Sequence, residues 1–321
     1  MLDQLNQKVL HYSSPHILKF NERIWIDGKD SSDILLNNAH EKLQKILTTN
    51  LLEKLTYFEY TTLLALDLSS DKDYLVLEAG LGGEYDATNV VKNDLSIITT
   101  IGLDHQNFLG KTIDLIAATK MRSCDNSFIL STQVSEEITV VKNEILNNKN
   151  EILKKDFILP NEASFLPQYL QDNLQVVLTV LEYLGFPEFS FTLPQLFGRY
   201  QKLSKNIIID VGHNPLAAYA ISLELKKERE KFILIYNSFE DKDFKEVLTI
   251  LKPYIKEVQI IDCDDSRIVK NDILNKCIDN LSITVSNFDI LQLEEKNYYL
   301  VFGSFLVIEN FLKRYKKYEK R

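Results

Sequence analysis

The chain has 321 residues, 45% hydrophobic and 26% charged, which excludes a disordered segment and gives room for two domains with separate cores. A formal net charge of −9 and a pI near 5.2 exclude the basic surface that nonspecific nucleic-acid or acidic-membrane binding needs, so an anionic substrate has to meet local basic residues. Three scattered cysteines, Cys124, Cys263 and Cys277, lack CxxC spacing and read as buried, unreactive thiols, and no apolar run reaches the roughly 18 residues of a membrane span. Residues 1–6 lack the basic-then-apolar layout of a signal peptide, so the expected compartment is the cytoplasm.

In chain order, the first residues read as the end of a helix, and 8–12 as a strand running straight into Ser13-Ser14-Pro15-His16. Residues 24–28 suggest a hairpin turning at Asp27-Gly28. Apolar residues at helical spacing over 33–68 predict two helices. The runs at 74–77 and 96–101 read as buried parallel strands, followed by shorter strands at 127–131 and 138–141. A polar, lysine-rich connection at 142–162 precedes a long buried helix at 166–184, and 187–199, with two prolines and a closing Gly198-Arg199, reads as a linker. Beyond it, the β-rich runs at 206–210, 231–236, 258–262 and 298–302 alternate with helical patterns and predict a small open parallel sheet. The fold class is α/β.

The chemistry concentrates at two strand ends. Glu78 and His105 both follow apolar runs, at the carboxyl ends where open α/β sheets bind ligands, and Gly80, Gly82 and Gly83 between them permit a tight loop. A carboxylate there suits Mg²⁺, which uses few protein ligands. An imidazole is softer than Mg²⁺ prefers, so chemistry alone leaves His105 equally open as a core histidine. Lys120 at a helix end reads by itself as a complement to the helix dipole, Asp86 as a loop-stabilising side chain, and Asp210 as a helix cap.

The stretch 77–89, Leu-Glu-Ala-Gly-Leu-Gly-Gly-Glu-Tyr-Asp-Ala-Thr-Asn, with Ile-Gly-Leu-Asp-His at 101–105, resembles the folylpolyglutamate synthase and dihydrofolate synthase family of Mur-type ligases. Ser14-Pro15-His16, Glu22-Arg23-Ile24, Gly198-Arg199 and Asp210-Val-Gly-His213-Asn-Pro215 extend the resemblance over nearly the whole chain, from Leu5 to Leu312. It implies a P-loop-NTPase-like central domain over 1–192 and a smaller Rossmann-like parallel-sheet domain over 193–321. It implies an ATP-dependent ligase that adds L-glutamate to dihydropteroate or reduced folates through an acyl phosphate.

By the same resemblance, Glu78 and His105 hold Mg²⁺, His105 and Lys120 are catalytic, and Lys120 is carbamylated to an anionic ligand. Asn173, Arg199 and Asp210 contact ATP, while Ser14, Pro15, His16, Arg23, Asp86 and His213 contact the other substrates. Asp241-Lys242-Asp243 and Gly303-Ser304 match signatures of the second domain, assigned to architecture with possible glutamate contacts. The implied partners are small molecules, with no nucleic acid, no membrane and a monomeric state.

The family's Gly-Thr-Asn-Gly-Lys-Gly-Ser phosphate loop, and the strand that leads into it, have no counterpart in this sequence. Two readings follow. A start codon upstream of Met1 makes the cellular protein an active ligase; a true loss makes it a noncatalytic folate- or nucleotide-binding relative. A peptidoglycan-precursor ligase is disfavoured by the Ser-Pro-His and Glu-Arg-Ile pairing, and an NAD-binding protein by the lack of GxGxxG after either strand series.

Overall fold

The computed structural model describes residues 1–186 and 191–318. By contacts the chain forms two units. The first comprises Met1–Gly102, Gln106–Leu159 and Asp172–Pro194; the second comprises Leu103–His105, Pro160–Gln171 and Gln195–Arg321. The tripeptide 103–105 thus belongs with the second unit although both its flanks belong with the first.

In the first unit, β1 (Val9–Tyr12) is the hub of a four-stranded sheet. It pairs antiparallel with β2 (Ile24–Ile26), which turns into β3 (Lys29–Asp30). Asp27 (φ 45°) and Gly28 (φ 95°) are both left-handed, as a two-residue hairpin turn of this hand requires. The Asp27 carboxylate fastens the turn by accepting from the Val9 amide at 2.7 Å and Lys72 Nζ at 2.6 Å. Helices α1 (Asp33–Ile46), α2 (Thr49–Leu52) and α3 (Tyr57–Leu68) follow. Leu36, Ala39 and Leu43 of α1 and Leu64 and Ala65 of α3 bury against Leu10, Tyr12 and Ile24. Thr56 and Glu59 close a reciprocal capping box at the start of α3.

Strand β4 (Tyr74–Leu77) pairs parallel with β1, and β5 (Leu95–Ile98) pairs parallel with β6 (Ser127–Leu130) in a separate three-stranded sheet. From sequence, both apolar runs are expected to be buried. Each is instead hydrogen-bonded on one side only, and Val76 and Ile97 stay 39% and 46% exposed. Helices α4 (Gln106–Leu109) and α5 (Ile113–Met121) precede β6, and α6 (Glu137–Ile145) follows it. The expected strand at 138–141 is therefore helical. Its β-branched residues favour a strand locally, but Ile138 and Val141 lie three apart on one helix face and bury with Ile116 and Phe128. The short β7 (Asn150–Glu151) completes that sheet, and α7 (Gln168–Tyr183) is the expected long helix. The expected helix end at residues 1–6 is a single 3₁₀ turn, Asp3–Leu5.

In the second unit, β8 (Gln201–Ser204) and β9 (Ile207–Asp210) pair antiparallel. They are followed by α8 (Pro215–Leu225), β10 (Phe232–Tyr236), α9 (Phe244–Leu251), β11 (Ile255–Ile260), α10 (Asn271–Asn280), β12 (Thr284–Asn287), β13 (Tyr299–Phe302) and α11 (Phe305–Tyr318). The sheet order is β12-β11-β10-β13-β9-β8, parallel except for β8. Every residue of β9, β10 and β13 is buried, as expected for strands covered on both faces. Val247, Leu248 and Leu251 of α9 are fully buried against this sheet, each contributing about 1.5–3 kcal/mol by leaving water. Of the expected linker, residues 187–190 lie outside the described residues.

Candidate active site

In the first unit, the glycine loop after β4 is anchored on three sides. A side chain at Gly80 would meet the Phe58 ring at 2.7 Å, and one at Gly83 would meet Ser123 Oγ at 2.9 Å. The Glu84 amide donates to the Thr119 carbonyl at 2.9 Å, one residue before Lys120 on α5. Asp86 then folds the loop's end. Its Oδ1 accepts from the Thr88 amide and hydroxyl at 3.0 and 2.7 Å, and its Oδ2 from the Leu81 amide at 2.8 Å.

This packing leaves a cavity of about 460 Å³, lined by Phe58, Glu59, Tyr85, Asp86, Phe108 and Arg122 among others. Tyr85 and Phe108 are 89% and 75% exposed, so they form its rim. A cavity of that volume with aromatic walls and a few polar groups suits a small flat ligand. Of the residues expected from sequence to touch substrate, Asp86 lines this cavity; Ser14, Pro15, His16 and Arg23 do not.

Those four form a second arrangement. Glu22 accepts from three successive amides, those of Ile17, Leu18 and Lys19, at 2.7–3.0 Å. Arg23 is buried, lies over the Tyr57 ring and donates from Nε to His16 Nδ1 at 2.9 Å. Arginine has no lone pair to offer, so Nδ1 is the acceptor. The Ser14 amide donates to Glu78 Oε2 at 3.1 Å, which joins this turn to the candidate metal ligand. Glu78 itself is exposed just past β4. Lys120 is half-buried on α5, its carbonyl accepting from Ser123 Oγ at 2.7 Å, and Asn173 is exposed on α7.

In the second unit, Asp104 is the centre of a polar cluster. Its Oδ1 accepts from Lys242 Nζ at 2.6 Å and from the His105 amide at 2.8 Å. Its Oδ2 accepts from Asn214 Nδ2 at 2.8 Å and lies 3.4 Å from His213 Nε2. Burial alone would raise this carboxyl, but the hydrogen bonds from His213, Lys242 and Asn214 outweigh it and hold the group well below the usual carboxylate range. Burial and the nearby Lys242 charge lower the His105 imidazole, against the opposing pull of Asp104, which favours the neutral ring.

Asp210 closes the end of β9. It is 3% exposed and accepts from the Gly212 amide at 2.7 Å, the Tyr200 amide at 2.8 Å and the Tyr169 hydroxyl at 2.9 Å. Burial raises its carboxyl despite those donors and the nearby Arg199. Arg199 is exposed and lies over the Phe305 ring at 5.5 Å. In the second-domain signatures, Asp243 caps α9 and Ser304 Oγ accepts from the Val307 amide at the start of α11, while Lys242 reaches Asp104.

The structure therefore brings His105, His213, Asn214 and Lys242 together around Asp104 in the second unit, while Glu78, Lys120 and Asp86 belong to the first. Asp104 and Phe58 were missed from sequence. Asp104 was legible only as the neighbour of His105, and Phe58 as one apolar residue of a helix.

Among the described residues, no three His, Cys, Asp or Glu side chains converge as a ready-made metal cage. The three cysteines are free thiols, and of the three expected to be buried only Cys124 is, Cys263 and Cys277 being partly exposed; burial pushes Cys263 up to about 12 and raises the other two.

No protein-family model matches the chain. It is 33% identical over 292 residues to the dihydrofolate synthase/folylpolyglutamate synthase of Haemophilus influenzae, covering 77% of this chain and 66% of that protein. It is 30% identical over 343 aligned positions to the protein of the same name from Buchnera aphidicola subsp. Schizaphis graminum, covering 94% and 80%. Among solved structures, the folylpolyglutamate synthetase of Helicobacter pylori superposes with a TM-score of 0.75 at 38% identity, covering 98% of this chain and 84% of that one.

Proposed function

This chain belongs to the dihydrofolate synthase/folylpolyglutamate synthase family, and we propose that it joins L-glutamate to the carboxyl of dihydropteroate or a reduced folate at the expense of ATP. A carboxylate is a poor electrophile. Transfer of the terminal phosphoryl group of ATP makes it an acyl phosphate, which the glutamate amine attacks with release of phosphate.

The observation that carries the reading is the 30% identity over 94% of this chain to a dihydrofolate synthase/folylpolyglutamate synthase, and the open cavity beside the glycine loop is the candidate place for the substrate. Its volume, the Phe58 wall and the aromatic rim suit a pteridine, and the Asp86 carboxylate offers acceptor capacity for the N–H groups of such a ring. Ser14, Pro15, His16 and Arg23 form a turn held rigid by Glu22 and Arg23, suited to a second contact with the same substrate. His213, facing Asp104, is assigned to the glutamate or acyl-phosphate side.

Mg²⁺ would be held by Glu78 and His105 and would supply charge neutralisation for the transferred phosphoryl group. Glu78 fits as an exposed carboxylate at a strand end, and His105 as a ring kept neutral by burial. Lys120 is proposed to act as a carbamylated, anionic group. Arg199 and Asn173, both exposed, are the candidates to touch the nucleotide. Asp210 is assigned to the same nucleotide contact, supported by its ordering of the Gly212 amide and the residue after Arg199.

The acidic balance argues against nonspecific nucleic-acid or acidic-membrane binding, while a monomer of the cytoplasm acting on small molecules is proposed from the family resemblance; no described helix is long and apolar enough to cross a membrane. Competition binding tests the substrate class. Dihydropteroate should displace a labelled folate from the protein and a UDP-sugar peptide should not; the reverse order would move the chain to cell-wall chemistry.

A further inference from the structure

The cluster around Asp104 contains a contact that none of the assigned roles uses. Lys242 Nζ lies 2.6 Å from Asp104 Oδ1 and 3.3 Å from His105 Nε2, and its side chain is only 6% exposed. An ammonium can only donate, so Nε2 must present its lone pair to the lysine. In the neutral ring the proton then sits on Nδ1. His105 also has a left-handed backbone (φ 49°), a conformation few non-glycine residues hold without support, and its own amide is tied to the same Asp104 oxygen that Lys242 meets.

We propose that Asp104 and Lys242 are positioning residues for His105: together they fix its backbone turn and its ring, and they select Nε2 as the nitrogen that carries the lone pair. Asp104 holds the turn from below through the His105 amide and extends the grip to Asn214 at the start of α8. Lys242 holds the ring. Asp243, the next residue, caps α9, so the lysine is delivered from a helix start rather than from a free loop.

The selection matters for the proposed metal role, on which this part of the inference rests. A neutral ring with a fixed tautomer has one nitrogen able to ligate, and here it is the nitrogen that Lys242 meets. A divalent cation on Nε2 would have to displace the Lys242 ammonium from that lone pair, so the lysine selects the tautomer and competes with the cation.

The test is ¹⁵N spectroscopy of the histidine side chains in the full chain, which has five histidines, with His105 assigned through His105→Asn. At a pH where the ring is neutral, His105 should read as the Nδ1–H tautomer; an Nε2–H reading in the parent protein overturns the inference whether or not any variant folds. In Lys242→Met the tautomer preference should be lost, with Lys242→Arg retaining part of it. An unchanged tautomer in a folded Lys242→Met would also overturn it. Absence of Mn²⁺ binding by the parent, with the Nδ1–H tautomer intact, would instead sink the metal assignment and leave the positioning of the ring standing.

Discussion

Asp104 and Lys242 are 138 residues apart in the chain and form an ion pair of 2.6 Å, with the lysine side chain 6% and the aspartate side chain 21% exposed. Removing one member of such a pair leaves the other charge poorly solvated. Lys242→Met should cost about 2 kcal/mol, below the roughly 3–5 kcal/mol of a fully buried pair because water still reaches Asp104. Urea unfolding measures it directly; a change near zero would show that solvent screens the pair.

The same carboxylate makes stability depend on pH. Its folded value is depressed below the unfolded value of about 3.9, so its contribution is fully present above that value. The contribution is lost as pH falls from about 4 toward the folded value. The stability difference between the parent and Asp104→Asn should therefore be largest near neutral pH and shrink in acid. An equal difference at about pH 3 and about pH 7 would contradict this assignment.

Asp210 satisfies three donors inside the fold, so Asp210→Ala should destabilise the second unit by about 2–3 kcal/mol by leaving Gly212, Tyr200 and Tyr169 without their acceptor. Asp210→Asn, which retains an acceptor oxygen, should cost less. If Asp210→Ala weakened ATP binding with no loss of stability, the carboxylate would serve the nucleotide alone.

Gly303 tests the architecture of that unit. Its φ of 131° disfavours any side chain, and an added Cβ would lie 2.1 Å from the Asn237 carbonyl oxygen. Gly303→Ala should therefore destabilise by more than about 2 kcal/mol, visible as a fall in melting temperature. Phe58→Ala should act differently. It should weaken dihydropteroate binding severalfold while ADP binding stays unchanged, and equal losses for both ligands would remove Phe58 from the pteridine side of the site.

Lys120→Ala should lose activity that short carboxylic acids partly restore, because they replace the carboxylate that carbamylation would provide. Failure of rescue in a normally folded variant, with an uncarbamylated parent by intact mass, would assign Lys120 to the α5 terminus alone.

The parallel sheet of the second unit was legible because β9, β10 and β13 are continuous apolar runs, the signature of strands covered on both faces. β8 and β12 were not, since Gln201–Ser204 and Thr284–Asn287 are edge strands with mostly polar sequence and no burial pattern to read. The helix at 137–145 was misread in part because Ile138 and Val141 carry strand propensity, and only their packing on Ile116 and Phe128 decides the period. At the site, the motif around His105 was visible, but the partners of Asp104 come from residues 105, 213, 214 and 242. No spacing rule joins positions so far apart, and tertiary contact alone supplies that information.

The most direct test of the ligase assignment is ADP release by the protein purified from its own cells, measured while dihydropteroate, L-glutamate and Mg²⁺ are each left out in turn. Release that requires all three, with one glutamate joined per ADP formed, is the predicted result. No ADP release, or release indifferent to the pteroate, would contradict it and make the chain a binding relative of the ligases rather than one of them.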